Sequence, residues 1–337
     1  MKSPFTEKPM HLRRERRQLA FRKDRFEIVH HAYVCEGGQE SFTSTSLDEL
    51  NTVQLYNRYR EKYNIPFADE IKQTRKRYGL TASKMSEILG FGANSYRQYE
   101  AGEMPSVSNA KLIKMAADPE RFLEMLEWCP SLGEKAKAQC RSKVLVQVEQ
   151  EQKNQLMRFF KEYLMGSPNA DLYSGYKAPS LEKLTEMVVF FAESLAPFKT
   201  KMNKLLFYAD FAMFQKHGFS MSGTRYRAIE MGPVPHNFQS VFEYISNQGE
   251  IRIQAAEFSK GYAGEQFFPA PNRAFDSHLF SEQELQILHK VAQHFKENSS
   301  RQMVEISHLE EAWEKNQAEK TPISYEFAFN LKNIELE

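Results

Sequence analysis

The sequence predicts a mainly α protein with small β elements, of the α+β class. Three observations lead there. From Phe67 to about Trp128, apolar residues at three- and four-residue spacing are interrupted by Gly and Pro, the pattern of short packed helices. From about Gly133 to Tyr163 a helical pattern runs with few breakers. Strand-like runs are short and sit near the N-terminus and among the helices of the second half.

Length and composition narrow the class. A chain of 337 residues suits two or three domains. Hydrophobic residues at 41% and aromatic residues at 13% argue against a disordered chain. Cys35, Cys129 and Cys140 are too few for a disulfide framework and fit a reducing compartment. The N-terminal stretch turns Arg-rich instead of apolar, so no secretory signal is expected. The longest apolar run, Met187 to Ala192, is far below the ~20 residues of a membrane helix. The expectation is a cytoplasmic protein with no membrane partner. Charge is unevenly placed: residues 1–150 carry 25 Lys/Arg against 20 Asp/Glu, and the remainder 20 against 24. A basic front and an acidic back suggest two kinds of partner.

In order along the chain, residues 1–45 read as β. Two strand-like runs lie within Phe21–Cys35 around Arg22-Lys23-Asp24-Arg25, with a turn at Gly37-Gly38. Thr45 or Ser46 can cap a helix that runs to about Tyr63, where Pro66 excludes continuation. Ile71, Thr74 and Tyr78 mark the next helical stripe. Thr81 caps a helix bearing Met85, Ile88 and Leu89, and Gly90 and Gly92 turn the chain into a short helix over 93–100. Helices over about 108–117 and 119–128 follow. This is the outline of a helix-turn-helix domain. The stretch 133–163 is a connecting helix or a short dimer coil, and 166–180, rich in Gly, Ser and Pro, reads as a linker.

The second half is mixed. Helices are expected over about 181–191, 200–217, 281–297 and 300–315, with an amphipathic one carrying Phe238, Val241, Phe242 and Ile245. Strands are expected at 224–231, and as a pair at 251–258 and 265–270 around Gly261 and Gly264. Gly232-Pro233-Val234-Pro235 reads as a rigid strand-to-helix turn. The tail from Thr321 to Leu331 is strand or helix. The helix of Lys201–Met213 is apolar on both sides, which marks a buried central helix.

On the 93–100 helix, Asn94, Arg97 and Gln98 share one arc with Ser95 at its edge, while Tyr96 and Tyr99 face the core. Asn and Gln suit an adenine edge, and Arg suits guanine or phosphate. Thr81, Ser83 and Lys84 are placed for backbone phosphates. The segment Glu87-Ile88-Leu89-Gly90-Phe91-Gly92-Ala93-Asn94-Ser95-Tyr96-Arg97-Gln98-Tyr99-Glu100-Ala101-Gly102 resembles the DNA-binding half of MqsA-type antitoxins. The resemblance covers roughly residues 25–128 and implies that Asn94 reads a base. A second reading position, usually Arg in that family, falls on Gln98, so the operator is not carried over. The family's zinc ribbon uses two Cys-x-x-Cys pairs, whereas this chain has Cys35-Glu36-Gly37-Gly38. A module without zinc ligands over residues 1–64 is therefore expected, with no metal or cofactor.

Lys201-Met202-Asn203-Lys204-Leu205-Leu206-Phe207-Tyr208-Ala209-Asp210, Gly223-Thr224-Arg225-Tyr226-Arg227-Ala228 and Met231-Gly232-Pro233-Val234-Pro235 resemble the Panacea, or SocA-like, domain. Ser307-His308-Leu309-Glu310-Glu311-Ala312-Trp313 and Ile323-Ser324-Tyr325 extend the resemblance over about 180–332. It implies a module that binds and neutralises a toxin, with Arg225, Tyr226, Pro233, Val234 and Pro235 as candidate toxin contacts. No phosphate-binding loop, His-Glu-x-x-His or Gly-x-Ser-x-Gly is present. Glu305-x-x-His308 has the spacing of a di-iron ligand pair but lacks the second pair such sites need.

The organisation expected is a 1–64 module, a helix-turn-helix over 65–130, a long helix and linker over 131–180, and a toxin-neutralising domain over 181–337. The function expected is a non-enzymatic antitoxin that sequesters a protein toxin and represses its own operon on double-stranded operator DNA, as a homodimer. The alternatives are a DNA-binding regulator without a toxin and a proteolytic adaptor that delivers a toxin to a protease.

Overall fold

The structure is a computed structural model that describes residue 3 and residues 8–35, 41–258 and 262–334. The turns expected at Gly37-Gly38 and Gly261 lie outside the described residues. Helices dominate and the sheets are small and antiparallel, so the α+β class stands.

A hairpin opens the chain. β1 (Met10–Phe21) and β2 (Asp24–Cys35) turn at Arg22-Lys23, with Arg22 at φ 55°, and β3 (Ser41–Phe42) adds to β2 with Phe42 opposite Tyr33. The first strand thus lies upstream of the charged turn, in the Arg-rich stretch. Its residues alternate in exposure, which lets a strand with one wet face carry charges at every second position. α1 (Thr45–Tyr63) is capped by Ser44, whose Oγ accepts from Leu47 N at 3.3 Å, and not by Thr45 or Ser46. It ends at Asn64, which takes φ 53° ahead of Ile65-Pro66.

The chain forms two compact units, one of Met1–Leu19, Glu27–Gln54 and Lys161–Glu337, the other of Ala20–Phe26 and Leu55–Phe160. Residues 1–64, read from sequence as one module, are shared between them.

The helical unit holds α2 (Ala68–Arg77), α3 (Ala82–Ile88), α4 (Ser95–Glu100), α5 (Val107–Ala116), α6 (Pro119–Glu127), α7 (Glu134–Lys153) and the start of α8 (Gln155–Met165). Three of these starts follow local chemistry. Thr81, Ser106 and Asp118 each accept a backbone N–H of the first turn they precede, and Pro119 occupies the first helical position. Ile71, Met85, Ile88, Tyr96, Ile113, Leu126 and Val144 form the core, with Tyr78 stacked on Phe122 at 4.3 Å. Tyr96 donates its hydroxyl to Ile71 O at 2.8 Å and its N–H to Ser86 Oγ at 3.1 Å. Arg75 clamps Glu100 at the far end of α4 through Nε and Nη2, at 2.5 and 3.0 Å. The stretch expected as one long helix breaks at Asn154. On α7 and α8, Leu145, Val146, Leu156, Met157 and Phe159 are exposed, Leu156 to 81%.

The other unit is built round α10 (Lys199–His217), buried without a break from Lys201 to Phe214. α9 (Leu181–Leu195) precedes it. β4 (Tyr226–Ile229) and β5 (Gly232–Pro235) follow, then α11 (Phe238–Asn247), β6 (Ile251–Phe258) and β7 (Tyr262–Pro269). α12 (Glu282–His294), α13 (Ser300–His308), α14 (Glu311–Glu314), β8 (Pro322–Ile323) and a 3-10 stretch (Tyr325–Asn330) complete it. The tail is thus both strand and helix. One sheet has the order β5-β4-β8, with Tyr226 opposite Pro235 and Ile323, and β6 pairs with β7. Gly232–Pro235 is therefore a strand and not the expected turn. Its prolines are tolerated because β5 is an edge strand.

Most of the N-terminal strands, up to Leu19 and from Glu27, belongs to this unit. Asn51 on α1 bonds both N and O of His31, at 2.9 and 3.0 Å, and Gln54 does the same for Val29 at 3.0 and 2.8 Å. Arg16 pairs with Glu326 at 2.6 Å, and the His31 ring meets Phe329 edge-on at 4.7 Å.

The segment read as a linker is folded in place. Asp171 caps the 3-10 turn Leu172–Ser174, Ser220 N donates to Gly175 O at 2.9 Å, and Ser180 N donates to Ser222 O at 2.9 Å. Gly223 sits at φ 74°, where a Cβ would stand 2.7 Å from Ala178 O and 2.8 Å from Lys177 O. Gly223→Ala is expected to raise the unfolding rate and to destabilise this unit by well over ~1 kcal/mol. Gly249 is the control, because at φ 77° its Cβ would meet nothing within 4 Å. Equal melting shifts for Gly223→Ala and Gly249→Ala would show that the close approach to 177–178 carries no stability.

Candidate functional sites

In the helical unit, α3 positions α4. Ser86 is wholly buried and holds the N–H of Tyr96, while Tyr99 accepts from Asn109 Nδ2 at 2.9 Å. With both tyrosines held inward, Asn94, Arg97 and Gln98 are exposed and Ser95 is half-buried. Asn94 is the N-cap residue of α4 with φ −104°, and its side chain makes no cap bond. Among the described residues, the side chains of Asn94, Arg97 and Gln98 have no hydrogen bond or ion pair, so their polar ends face water. Thr81 Oγ1 accepts from Lys84 N at 3.2 Å, Ser83 is exposed, and Lys84 Nζ pairs with Glu87 at 2.8 Å.

The zinc-ribbon expectation can be tested on the donors present. His30, His31 and Cys35 all lie on β2, where neighbours point to opposite faces and residues four apart are separated by about 13 Å. His31 and Cys35 are buried, and burial holds the His31 imidazole down to a pKa of about 4. No three metal-binding side chains gather among the described residues. This donor set does not fit a tetrahedral zinc site.

In the C-terminal unit, the candidate toxin contacts separate sharply. Tyr226 is 0% exposed and donates its hydroxyl to Asp210 Oδ2 at 2.8 Å. Pro233, Val234 and Pro235 are buried in β5. These four side chains are packed into the fold. Arg225 and Tyr226 line a surface cavity, and Arg225 Nη2 donates to Asp171 Oδ2 at 2.7 Å and to Asn169 O at 3.1 Å.

Behind them lies a charged interior that sequence reading passed over. Asp210 accepts Met221 N and Ser222 N, both at 2.8 Å, and Ser222 Oγ at 2.6 Å, besides Tyr226. Burial pushes its carboxyl upward against the pull of these bonds. Lys204 donates Nζ to Pro233 O at 3.0 Å, and burial lowers its ammonium to a pKa of about 7. Glu310, also buried, accepts Tyr208 Oη at 3.1 Å and Lys332 N at 2.9 Å. The signal was present: two charges interrupt a helix otherwise apolar on both sides. Glu305 and His308 do not form a ligand pair, since Glu305 holds Arg301 at 3.0 Å and the His308 ring stacks on Trp313 at 3.6 Å.

Residues 202–314, from α10 through α14, match the family model described as antitoxin SocA-like, Panacea domain. That is the family the sequence resembles over this stretch, and it points to antitoxin function. Neither the curated proteins nor the solved structures gave a match. Among the described residues, no helix is long and apolar enough to cross a membrane.

Proposed function

We propose that the chain is an antitoxin that sequesters a protein toxin through its C-terminal unit and represses its own operon through α4. The family match over 202–314 carries the first part. The second part is supported by the exposed Asn94, Arg97 and Gln98, which buried tyrosines hold at fixed spacing on one short helix. Thr81, Ser83, Lys84 and Ser95 flank them as phosphate contacts. The exposed apolar residues of α7 and α8 favour a homodimer, which a two-fold operator requires. Arg225, Tyr226, Pro233, Val234 and Pro235 remain the candidate toxin contacts, with Arg225 the least buried of them.

The test uses the intact chain. Co-expression with the product of a neighbouring growth-inhibiting reading frame is expected to restore growth. Asn94→Ala is expected to weaken specific operator binding by ~1–3 kcal/mol and to leave both nonspecific binding and growth rescue unchanged. Equal losses on specific and random duplexes count against base reading by Asn94. A wild-type chain that rescues no such neighbour counts against the antitoxin reading.

A further inference from the structure

Within the C-terminal unit, a surface cavity of about 630 Å³ opens beside β4, lined among others by Gly166, Tyr173, Arg225, Arg227, His236 and Thr321. Among the described residues no carboxylate lines it, and Asp171 pairs with Arg225 beside it. Arg225 and Arg227 are two apart on extended chain, so their side chains leave on the same face. His236 is brought alongside by its N–H, which donates to Arg225 O at 2.7 Å. The three nitrogen-bearing side chains thus come from the paired ends of two adjacent strands, a rigid support.

They are unequally occupied. Arg225 is held by Asp171 and Asn169 through one nitrogen, and its buried Nε meets no acceptor among the described residues. Arg227 is exposed and makes no ion pair among the described residues. His236 is held below its ordinary pKa by partial burial and then by the neighbouring Arg227 and Arg225. Gly166 closes one wall. At φ 84°, its absent Cβ would stand 3.3 Å from Arg225 Cδ and 3.7 Å from His236 Cδ2, so the bare backbone lies flush against both. Tyr173, half-exposed, offers an aromatic ring on the rim.

We propose that this cavity is a binding site for the phosphate group of a small organic phosphate, with Arg225 and Arg227 as the charged donors and His236 as a third. Forked guanidinium donors suit a phosphate better than a carboxylate when two converge, and the volume is that of a small-molecule site. The site shares Arg225 with the proposed toxin contacts, and its test uses the chain by itself, without a toxin.

Calorimetric titration of the full chain with phenyl phosphate, inorganic phosphate and benzoate tests it. Phenyl phosphate is expected to bind saturably, to be displaced by inorganic phosphate, and to bind at least tenfold more tightly than benzoate. Arg227→Met is expected to weaken phenyl phosphate at least tenfold with an unchanged melting temperature, because Arg227 supports nothing in the fold. Gly166→Val should weaken it as well by intruding on Arg225. Absence of saturable binding, benzoate binding as tightly as phenyl phosphate, or full affinity in Arg227→Met overturns the proposal.

Discussion

Asp210→Ala is expected to lower the unfolding free energy of the C-terminal unit by about 3–5 kcal/mol. The carboxylate accepts two backbone N–H groups and two hydroxyls in a site with no exposed surface. Alanine leaves all four donors without it, and a buried unsatisfied donor costs ~1–3 kcal/mol before any relaxation. Partial relief comes from no longer burying the acid, which is why the figure stays below the sum. Asp210→Asn should cost only ~1–2 kcal/mol, since one oxygen still accepts both amides and the hydroxyls can turn to accept the new N–H groups. Trp313 lies in this unit and Trp128 in the other, and they are the two tryptophans of the chain. Urea unfolding of Trp128→Phe protein therefore reports the C-terminal transition alone. A loss below ~1 kcal/mol for Asp210→Ala would show that the network around β4 is not what holds the unit together.

The second large effect concerns pH. Lys204 has a folded pKa of about 7 and an unfolded one near ~10.4. Between these values the unfolded chain binds the extra proton, so stability rises with pH across the interval and this group adds nothing below its lower end. From pH 7 to 9.5 the gain amounts to about 3 kcal/mol. Above that, buried Tyr208, Tyr226 and Tyr325 act the other way, because burial raises their pKa values and ionisation favours unfolding. Lys204→Met should flatten the rise to below ~1 kcal/mol over the same window. At pH 6.5 it should be no less stable than wild type, since the cost of burying an ammonium offsets the lost bond to Pro233 O. Parallel urea titrations at pH 6.5 and 9.5 measure both. An unaltered pH dependence in Lys204→Met would place the titrating group elsewhere.

Much of this architecture is legible in the residues. The double-sided apolarity of 201–213 marks α10 as the central helix, and the cap at Thr81 marks the start of α3. The inward tyrosines and outward Asn94, Arg97 and Gln98 of α4 follow from its period alone. The failures share a cause. Gly and Pro in 166–180 and 232–235 read as punctuation, yet 166–180 finds backbone partners some forty residues on, at Ser220 and Ser222, and 232–235 pairs with the preceding β4. Composition reports which conformations a segment tolerates and says nothing of which carbonyl will lie opposite it. The same holds for the Arg-rich β1, whose strand character depends on β2. The burial of Pro233–Pro235 was not legible because turn residues and edge-strand residues look alike until the sheet is drawn.

The pairing of Arg16 with Glu326, and of His31 with Phe329, has a temporal consequence. The first pair is separated by 310 positions, so at ~5–20 residues per second a ribosome needs about 15–60 s to deliver the second partner. All residues of the helical unit leave the ribosome inside that interval, and its core contains nothing made later than residue 160. Each nascent chain therefore passes through a period with the helical unit complete and the outer strands waiting for the tail. A transcript truncated before residue 325 freezes that state. It yields a product that keeps the proposed operator-reading half and lacks a closed toxin-binding half, so message integrity alone can uncouple repression from protection.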